Sequence, residues 1–327
     1  MKTPEKQTKI QRLEKSRNSK VITYITGDKP GFQAQISSDV IPILSTHLKT
    51  IGPTKKISFF LYSQGGSLEA PWPIVNLIRE YCQEFEVILP YKALSAATLM
   101  CLAADRIIMT PKSQLSPIDP MGTFITAENK MEQIQIEDVI GYVEFAKNKI
   151  GIAEQSALAQ VLNNLSASIK PTIIGSINRT HHLIRRLAEN SLRLHKKRLE
   201  EKQIQEIVQN LSEKLYSHQH VINRKEAKDL IGFGDIISYS SSTDENLIDE
   251  IFDEYSKKLQ LSEDFNPVEF LGAEMEKDLE LKRALIESEA LKNSFVSKYK
   301  VSKLPTPTGE VAINLNNFYN KWEEKDE

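Results

Sequence analysis

The sequence predicts a mixed α/β fold built from parallel strand–helix units, and three features carry that reading. Short apolar runs, Ile57-Ser58-Phe59-Phe60-Leu61-Tyr62 and Glu86-Val87-Ile88-Leu89-Pro90, are each followed by helical spacing. That order requires crossover connections and a parallel sheet. Both strand-to-helix junctions carry small residues, Ser63-Gln64-Gly65-Gly66-Ser67 in one and Leu94-Ser95-Ala96-Ala97 in the other. The chain has 327 residues, 40% hydrophobic and 26% charged, enough to bury one large core with an appendage.

Met1 to Lys20 is polar and rich in Lys and Arg, a frayed or helical arm without the apolar run of a signal peptide or membrane span. Val21 to Thr26 reads as the first strand and Asp39 to Leu48 as a helix. After the first junction, Ile74, Leu77, Ile78 and Tyr81 recur with the period of a helix buried on one face. Ser95 to Ala104 carries no charge and reads as a short helix buried all round, followed by a strand through Met109. Met121 to Gln135 reads as loop or hairpin, and Glu137 to Leu165 and Ile173 to Tyr216 as helices. A short helix at Glu226 to Ile231 ends at Gly232, before a strand at Asp235-Ile236-Ile237. The serine-rich stretch Ser238 to Thr243 marks a boundary, giving an arm at 1–20, a core domain at 21–240 and an extension at 241–327. Glu245 to Leu261 and Pro267 to Tyr299 read as amphipathic helices, so the extension is expected to be mostly helical.

The two junctions suggest complementary chemistry. A Gly-Gly pair lets backbone approach a ligand closely, and a serine at a helix start presents a hydroxyl beside free N–H groups. Taken singly, each has a bland reading as a turn and as a helix cap. Together, with 29 residues separating Gly66 from Ser95, the runs resemble the Clp protease and signal peptide peptidase A superfamily, with its ClpP/crotonase-like fold. The serine dehydrogenase proteinase family is the most similar branch. Its motifs are matched by Ala93 to Leu99, by Leu102 to Met109, by Ser116-Pro117-Ile118-Asp119-Pro120, and by Ser217-His218 through Ile222 to Gly232.

The resemblance covers roughly Val21 to Ile237 and implies a superhelix of repeated ββα and βα units. It implies a serine-type peptidase in which Ser95 is the nucleophile and the N–H groups of Gly66 and Ala96 hold the oxyanion. Gly65, Gly66 and Ser67 would bind substrate, their strand edge accepting an extended peptide by β-augmentation. Ala97 departs from the glycine usual in that family. The base is less directly read, because the segment Leu115 to Pro120 holds Asp119 where the Clp subunit has a histidine. His218 with Asp119 would complete a triad defined by geometry, not chain order. His220 is the neighbouring alternative. Lys147, 52 residues beyond Ser95, and Lys170 are candidates for a lysine base of the kind found in signal peptide peptidase A.

A formal charge of −2 gives no global field for nucleic acid, and the basic stretch from Arg185 to Arg198 is interspersed with acidic residues. Cys82 and Cys101 both read as lying in apolar helical stretches as core thiols, in keeping with the cytoplasm. No metal-ligand set is completed by His181, His182 and His195, and acyl transfer through serine needs no cofactor. The resemblance implies as partners a peptide or protein substrate and further copies of the chain in a homo-oligomer. Any energy-driven unfolding would need a separate unfoldase or adaptor, since no Walker A motif is present. The competing readings are a catalytically inactive Clp-fold scaffold or adaptor and a crotonase-type acyl-thioester enzyme.

Overall fold

The computed structural model describes residues 7–118, 121–125, 131–215, 217, 219–305 and 311–324. It opens with α1 (Lys9–Arg17), started by a reciprocal capping box between Thr8 and Gln11 and ended by Asn18 in the left-handed region. Then come β1 (Lys20–Thr26), α2 (Val40–Ile51), β2 (Thr54–Tyr62), α3 (Pro71–Arg79), β3 (Cys82–Leu89), β4 (Lys92–Ala93), α4 (Ala96–Cys101), β5 (Arg106–Met109) and β6 (Gln114–Leu115). A hairpin, β7 (Met121–Ile125) and β8 (Met131–Gln135), leads into α5 (Ile136–Glu144), a π turn (Phe145–Lys149), α6 (Gln155–Ser168), α7 (Pro171–Leu192) and α8 (Glu201–Ser212). The chain continues with β9 (Ile222–Asn223), α9 (Arg224–Asp229), a 3₁₀ turn (Gly234–Ile236), β10 (Ile237–Tyr239), α10 (Ser242–Leu259) and α11 (Pro267–Leu271). It ends with β11 (Glu276–Glu287), β12 (Lys292–Pro305) and β13 (Val311–Glu324).

Eight strands form one sheet in the order β10-β5-β3-β2-β1-β11-β12-β13. The first five are parallel and the last three antiparallel, with the change at the β1/β11 pair. Side chains alternate across the parallel half. Ile22, Tyr24, Phe59, Leu61, Phe85, Val87 and Ile107 join one core with residues of α2, α3, α4, α7 and α8. Val21, Ile25, Phe60, Tyr62, Ile88 and Ile108 pack the opposite face against α10 and Leu13 of α1. Helices on both faces are what a parallel sheet requires, and the architecture is the mixed α/β type read from the sequence.

The expected helix at 267–299 is corrected by the structure. Beyond α11 the extension is a three-stranded meander, so it is not mostly helical. Leu279 and Leu281 turn inward with Tyr299 and Val301 onto Phe32, while the intervening Glu280 and the neighbouring Glu276 stay exposed. Cross-strand ion pairs cover that outer face, Lys298–Glu280 at 3.0 Å and Lys300–Glu276 at 2.9 Å. Period-two burial and the open edge of β1 outweigh the helix propensity of Glu, Leu and Lys. Two smaller corrections concern turns. Asp235 and Ile236 lie in the 3₁₀ turn, with the strand starting at Ile237, and the long helix read at 173–216 breaks between Leu192 and Glu201.

Candidate active site

In an open parallel sheet, ligands bind beyond the carboxyl ends of the strands, and both small-residue junctions emerge there. β2 runs out at Tyr62 and passes into Ser63 to Ser67. β3 runs out at Leu89, and the chain turns through β4 to Ser95. The junctions are tied together by a parallel bridge between Ser63 and Ala93, in which Ser63 N–H donates to Lys92 O (3.0 Å) and Leu94 N–H to Ser63 O (3.0 Å).

Ser95 has φ 51° and ψ −114°. Ala97 N–H donates to Leu94 O at 2.9 Å, so Leu94 to Ala97 form a type II′ turn with Ser95 at its first corner. Such a conformation costs a non-glycine residue about 1–3 kcal/mol and persists only where the surroundings enforce it. Here Ser116, itself buried, accepts a hydrogen bond from Ser95 N–H at 2.7 Å and donates to Pro117 O. Thr98 holds Ser116 in turn, its hydroxyl accepting from Ser116 N–H and donating to Ala93 O. Ser95 is half-buried, and its hydroxyl makes no hydrogen bond among the described residues.

The glycine loop packs directly on that turn. Gly65 has φ +108°, and a Cβ there would lie 2.9 Å from Leu94 O, 3.0 Å from Ser95 Cβ and 3.5 Å from Ala96 N. Gly66 has φ +154° and bridges Ile36: Ile36 N–H donates to Gly65 O and Ser67 N–H to Ile36 O, both at 2.9 Å. In this parallel pattern the N–H and C=O of Gly66 itself point to the opposite edge. Neither Gly66 N–H nor Ala96 N–H has an acceptor among the described residues. The edge facing Ile36 is therefore filled by the chain's own backbone. Ser63 steadies the loop by accepting from Thr26 (2.8 Å) and from Gly65 N–H (3.0 Å).

Asp119 and His218 lie outside the described residues. The main chain flanking them converges on the turn: β6 pairs with β9 through Leu115 and Ile222, and Ile118 N–H donates to Leu211 O at 3.0 Å. His220 is engaged locally, Nε2 lying 2.7 Å from Glu226 Oε1. Lys147 in the π turn and Lys170 ahead of α7 are both exposed, whereas a lysine base depends on burial or nearby cations. Ser67 is exposed beside Gly66. Three supporting residues went unassigned from the sequence, namely Ser116, Ser63 and Asp28. Asp28 is buried beneath the loop, accepting from Tyr62 Oη (2.6 Å) and Gln64 Nε2 (3.0 Å). Burial, with Asp28 alongside, pushes the Tyr62 hydroxyl far above the ordinary phenol pKa and keeps it a donor. Their signal was a polar residue at an apolar strand end, where a buried hydroxyl or carboxylate must find partners.

Burial drives the Cys82 thiol up to about 11 and Cys101 higher still, so neither is a ready nucleophile. Among the described residues no group of three or more His, Cys, Asp or Glu is placed to hold a metal, and no helix is long and apolar enough to cross a membrane.

Residues 2–140 match the family model of the ClpP-like SDH-type serine proteinases, the family that the motifs resemble. Two curated relatives are uncharacterized proteins of Methanocaldococcus jannaschii. One is 31% identical over 118 residues, 34% of this chain and 41% of its own length. The other is 30% identical over 106 residues, 30% of this chain and 36% of its own length. The chain thus spans about two fifths of the length of the relatives it matches.

Proposed function

We propose that this chain is a serine peptidase on a ClpP/crotonase-like scaffold, cleaving peptide bonds through an acyl-enzyme on Ser95. The observation that carries the reading is a free hydroxyl on a strained turn, packed against a glycine loop, with two N–H groups of Gly66 and Ala96 lacking acceptors among the described residues. Buried N–H groups without partners, as at Ala96, are rare in folded proteins, and acyl transfer uses such donors for the oxygen of the tetrahedral intermediate.

In the proposed reaction a peptide lies along the open side of Gly66. A base removes the Ser95 proton as Oγ attacks the carbonyl carbon, and the oxyanion is taken up by the Gly66 and Ala96 N–H groups. The C–N bond then breaks with return of the proton to the departing amine, and water releases the acyl group by the same steps in reverse roles. His218 assisted by Asp119 is the proposed base, a choice supported by the pairing of β6 with β9 at Leu115 and Ile222 and by the Ile118–Leu211 bond, which join the two stretches of chain that carry them. Assembly into a homo-oligomer joins the proposal by family resemblance, a cytoplasmic location by the two core thiols, and delivery of substrates by a separate unfoldase or adaptor by the lack of a Walker A motif in the sequence.

A fluorophosphonate probe tests it. Wild-type protein is expected to be labelled at Ser95, Ser95→Ala to be unlabelled at an unchanged melting temperature, and His218→Ala to lose labelling. A folded wild type that resists the probe supports the inactive scaffold instead.

A further inference from the structure

Two tethers from the C-terminal region converge on the glycine loop, and both start from residues outside the segment matched by the family model. The first runs through Arg283 of β11. Its Nε donates to Phe32 O at 2.8 Å, its Nη2 donates to Gln33 O, and its Nη1 lies 3.4 Å from Ser297 Oγ. Its carbonyl accepts from Gly27 N–H at 2.7 Å, an approach so close that a Cβ on Gly27 would meet that oxygen at 2.8 Å. Gly27 O in turn accepts from Ala34 N–H at 2.8 Å. The stretch from Gly27 to Ile36 is thus a strap clamped at both backbone and side chain by one residue, and its end, Ile36, bridges Gly66.

The second tether is Ser262, a non-glycine residue at φ 57°. Its N–H and hydroxyl donate to Asp28 at 2.9 and 3.2 Å, and Asp28 is the carboxylate that also receives Tyr62 and Gln64 at the base of the loop. Lys29, largely buried beside it, donates to Glu263 O at 3.1 Å.

From this geometry we infer that Arg283 is a positioning residue for the oxyanion site, acting through the Phe32–Ile36 strap on Gly65 and Gly66, so that the C-terminal meander completes the catalytic loop. The inference rests on the reading of Gly66 as an oxyanion donor. A planar guanidinium reaches two successive carbonyls at once, which a lysine ammonium on a flexible stem does not reproduce. Without the fork the strap keeps its Ile36 bridge and the Gly27 backbone bond to residue 283 but loses the two contacts that hold the Phe32 and Gln33 carbonyls.

The test uses full-length Arg283→Lys and Arg283→Ala proteins and two readouts. Hydrogen exchange at the Ile36 and Ser67 amides, which form the bridge, is expected to accelerate at least tenfold in both variants while amides of β3 keep wild-type protection. Fluorophosphonate labelling of Ser95 is expected to slow at least tenfold in both, with partial recovery of Arg283→Ala by added guanidinium at an unchanged melting temperature. Wild-type bridge exchange in a folded Arg283→Ala protein would overturn the inference whatever the labelling shows. Absence of labelling in the wild type removes the peptidase reading, and the exchange experiment then still decides whether the strap is clamped. Faster exchange throughout the chain would identify Arg283 as a general stability residue and also overturn the assignment.

Discussion

The two ends of the parallel sheet handle polar groups in opposite ways. Toward the amino end, Glu86 sits 3% exposed inside a closed set of partners: Arg17 at 2.5 Å, Lys56 at 3.5 Å and the Ser58 hydroxyl at 2.8 Å, with Arg17 also bound to Asp244 at 3.1 Å. Every charge there is answered. At the carboxyl end, one hydroxyl and two N–H groups lie without partners among the described residues, next to hydroxyls and carbonyls that are fully engaged in holding them. A saturated cluster contributes to folding, whereas unspent donors held rigidly are available to a reacting molecule. The difference teaches where substitutions should affect rate and where they should affect stability.

The largest effect is expected at Gly65. In Gly65→Ala the new methyl meets Leu94 O and Ser95 Cβ within 3.0 Å, from a backbone at φ +108°, so the loop must leave the Ser95 turn. If the Gly66 N–H is the oxyanion donor proposed above, its displacement costs about 3–4 kcal/mol of barrier, and fluorophosphonate labelling should fall at least 100-fold. Near-wild-type labelling would break the comparison at its active end.

Glu86→Ala should do the reverse. It leaves Arg17 and Asp244 in a half-broken buried cluster and should lower unfolding free energy by about 3 kcal/mol, with labelling of the folded protein unchanged. Burial alone would raise the pKa of Glu86, but the Arg17 bond and charge, Lys56 and Ser58 outweigh it and hold it below the ordinary value; Asp244 is likewise held down against burial by Ser16 and Arg17. Groups depressed in the folded state contribute stability above their unfolded pKa and lose it as pH falls through the folded one. The gap between wild type and Glu86→Ala in denaturant titrations should therefore narrow below about pH 4. A constant gap would contradict the ionic account.

Ser116→Ala lies between these cases, since it leaves Ser95 N–H without its acceptor while sparing the proposed nucleophile. An unsatisfied buried donor costs about 1–3 kcal/mol, so labelling should slow about tenfold with a modest drop in melting temperature. The smallest effect concerns His47, fully buried between Ser288 Oγ at 2.8 Å and Asn293 Oδ1 at 2.9 Å. Burial lowers its pKa despite the Asn293 bond. The unfolded chain then takes up a proton that the folded one refuses, and stability declines as pH falls below about 6.5. His47→Gln should flatten that decline between about pH 7.5 and 5, without altering labelling.

What the sequence made legible follows the same division. The parallel core could be read because β2, β3 and β5 are buried on both faces and so appear as apolar runs. The close backbone approach at Gly65 and Gly66 could be read because a Cβ at either would meet other atoms at 3.0 Å or less from a positive φ. The meander could not, since Leu279-Glu280-Leu281-Lys282 is composed of good helix formers and becomes strand through pairing with β12 and, farther along β11, β1. Asp28 and Arg283 escaped notice for a related reason. Each has a partner more than 200 residues away in the chain, Ser262 for the one and Phe32 for the other, and local pattern carries no trace of those two contacts.

The account turns on whether the free donors receive the oxygen of a reacting centre bonded to Ser95. A crystal structure of the fluorophosphonate-treated protein measures this directly. We predict phosphorus on Ser95 Oγ with the phosphoryl oxygen about 2.7–3.1 Å from both Gly66 N and Ala96 N. An adduct on another residue, or one whose phosphoryl oxygen points away from both amides, would contradict it.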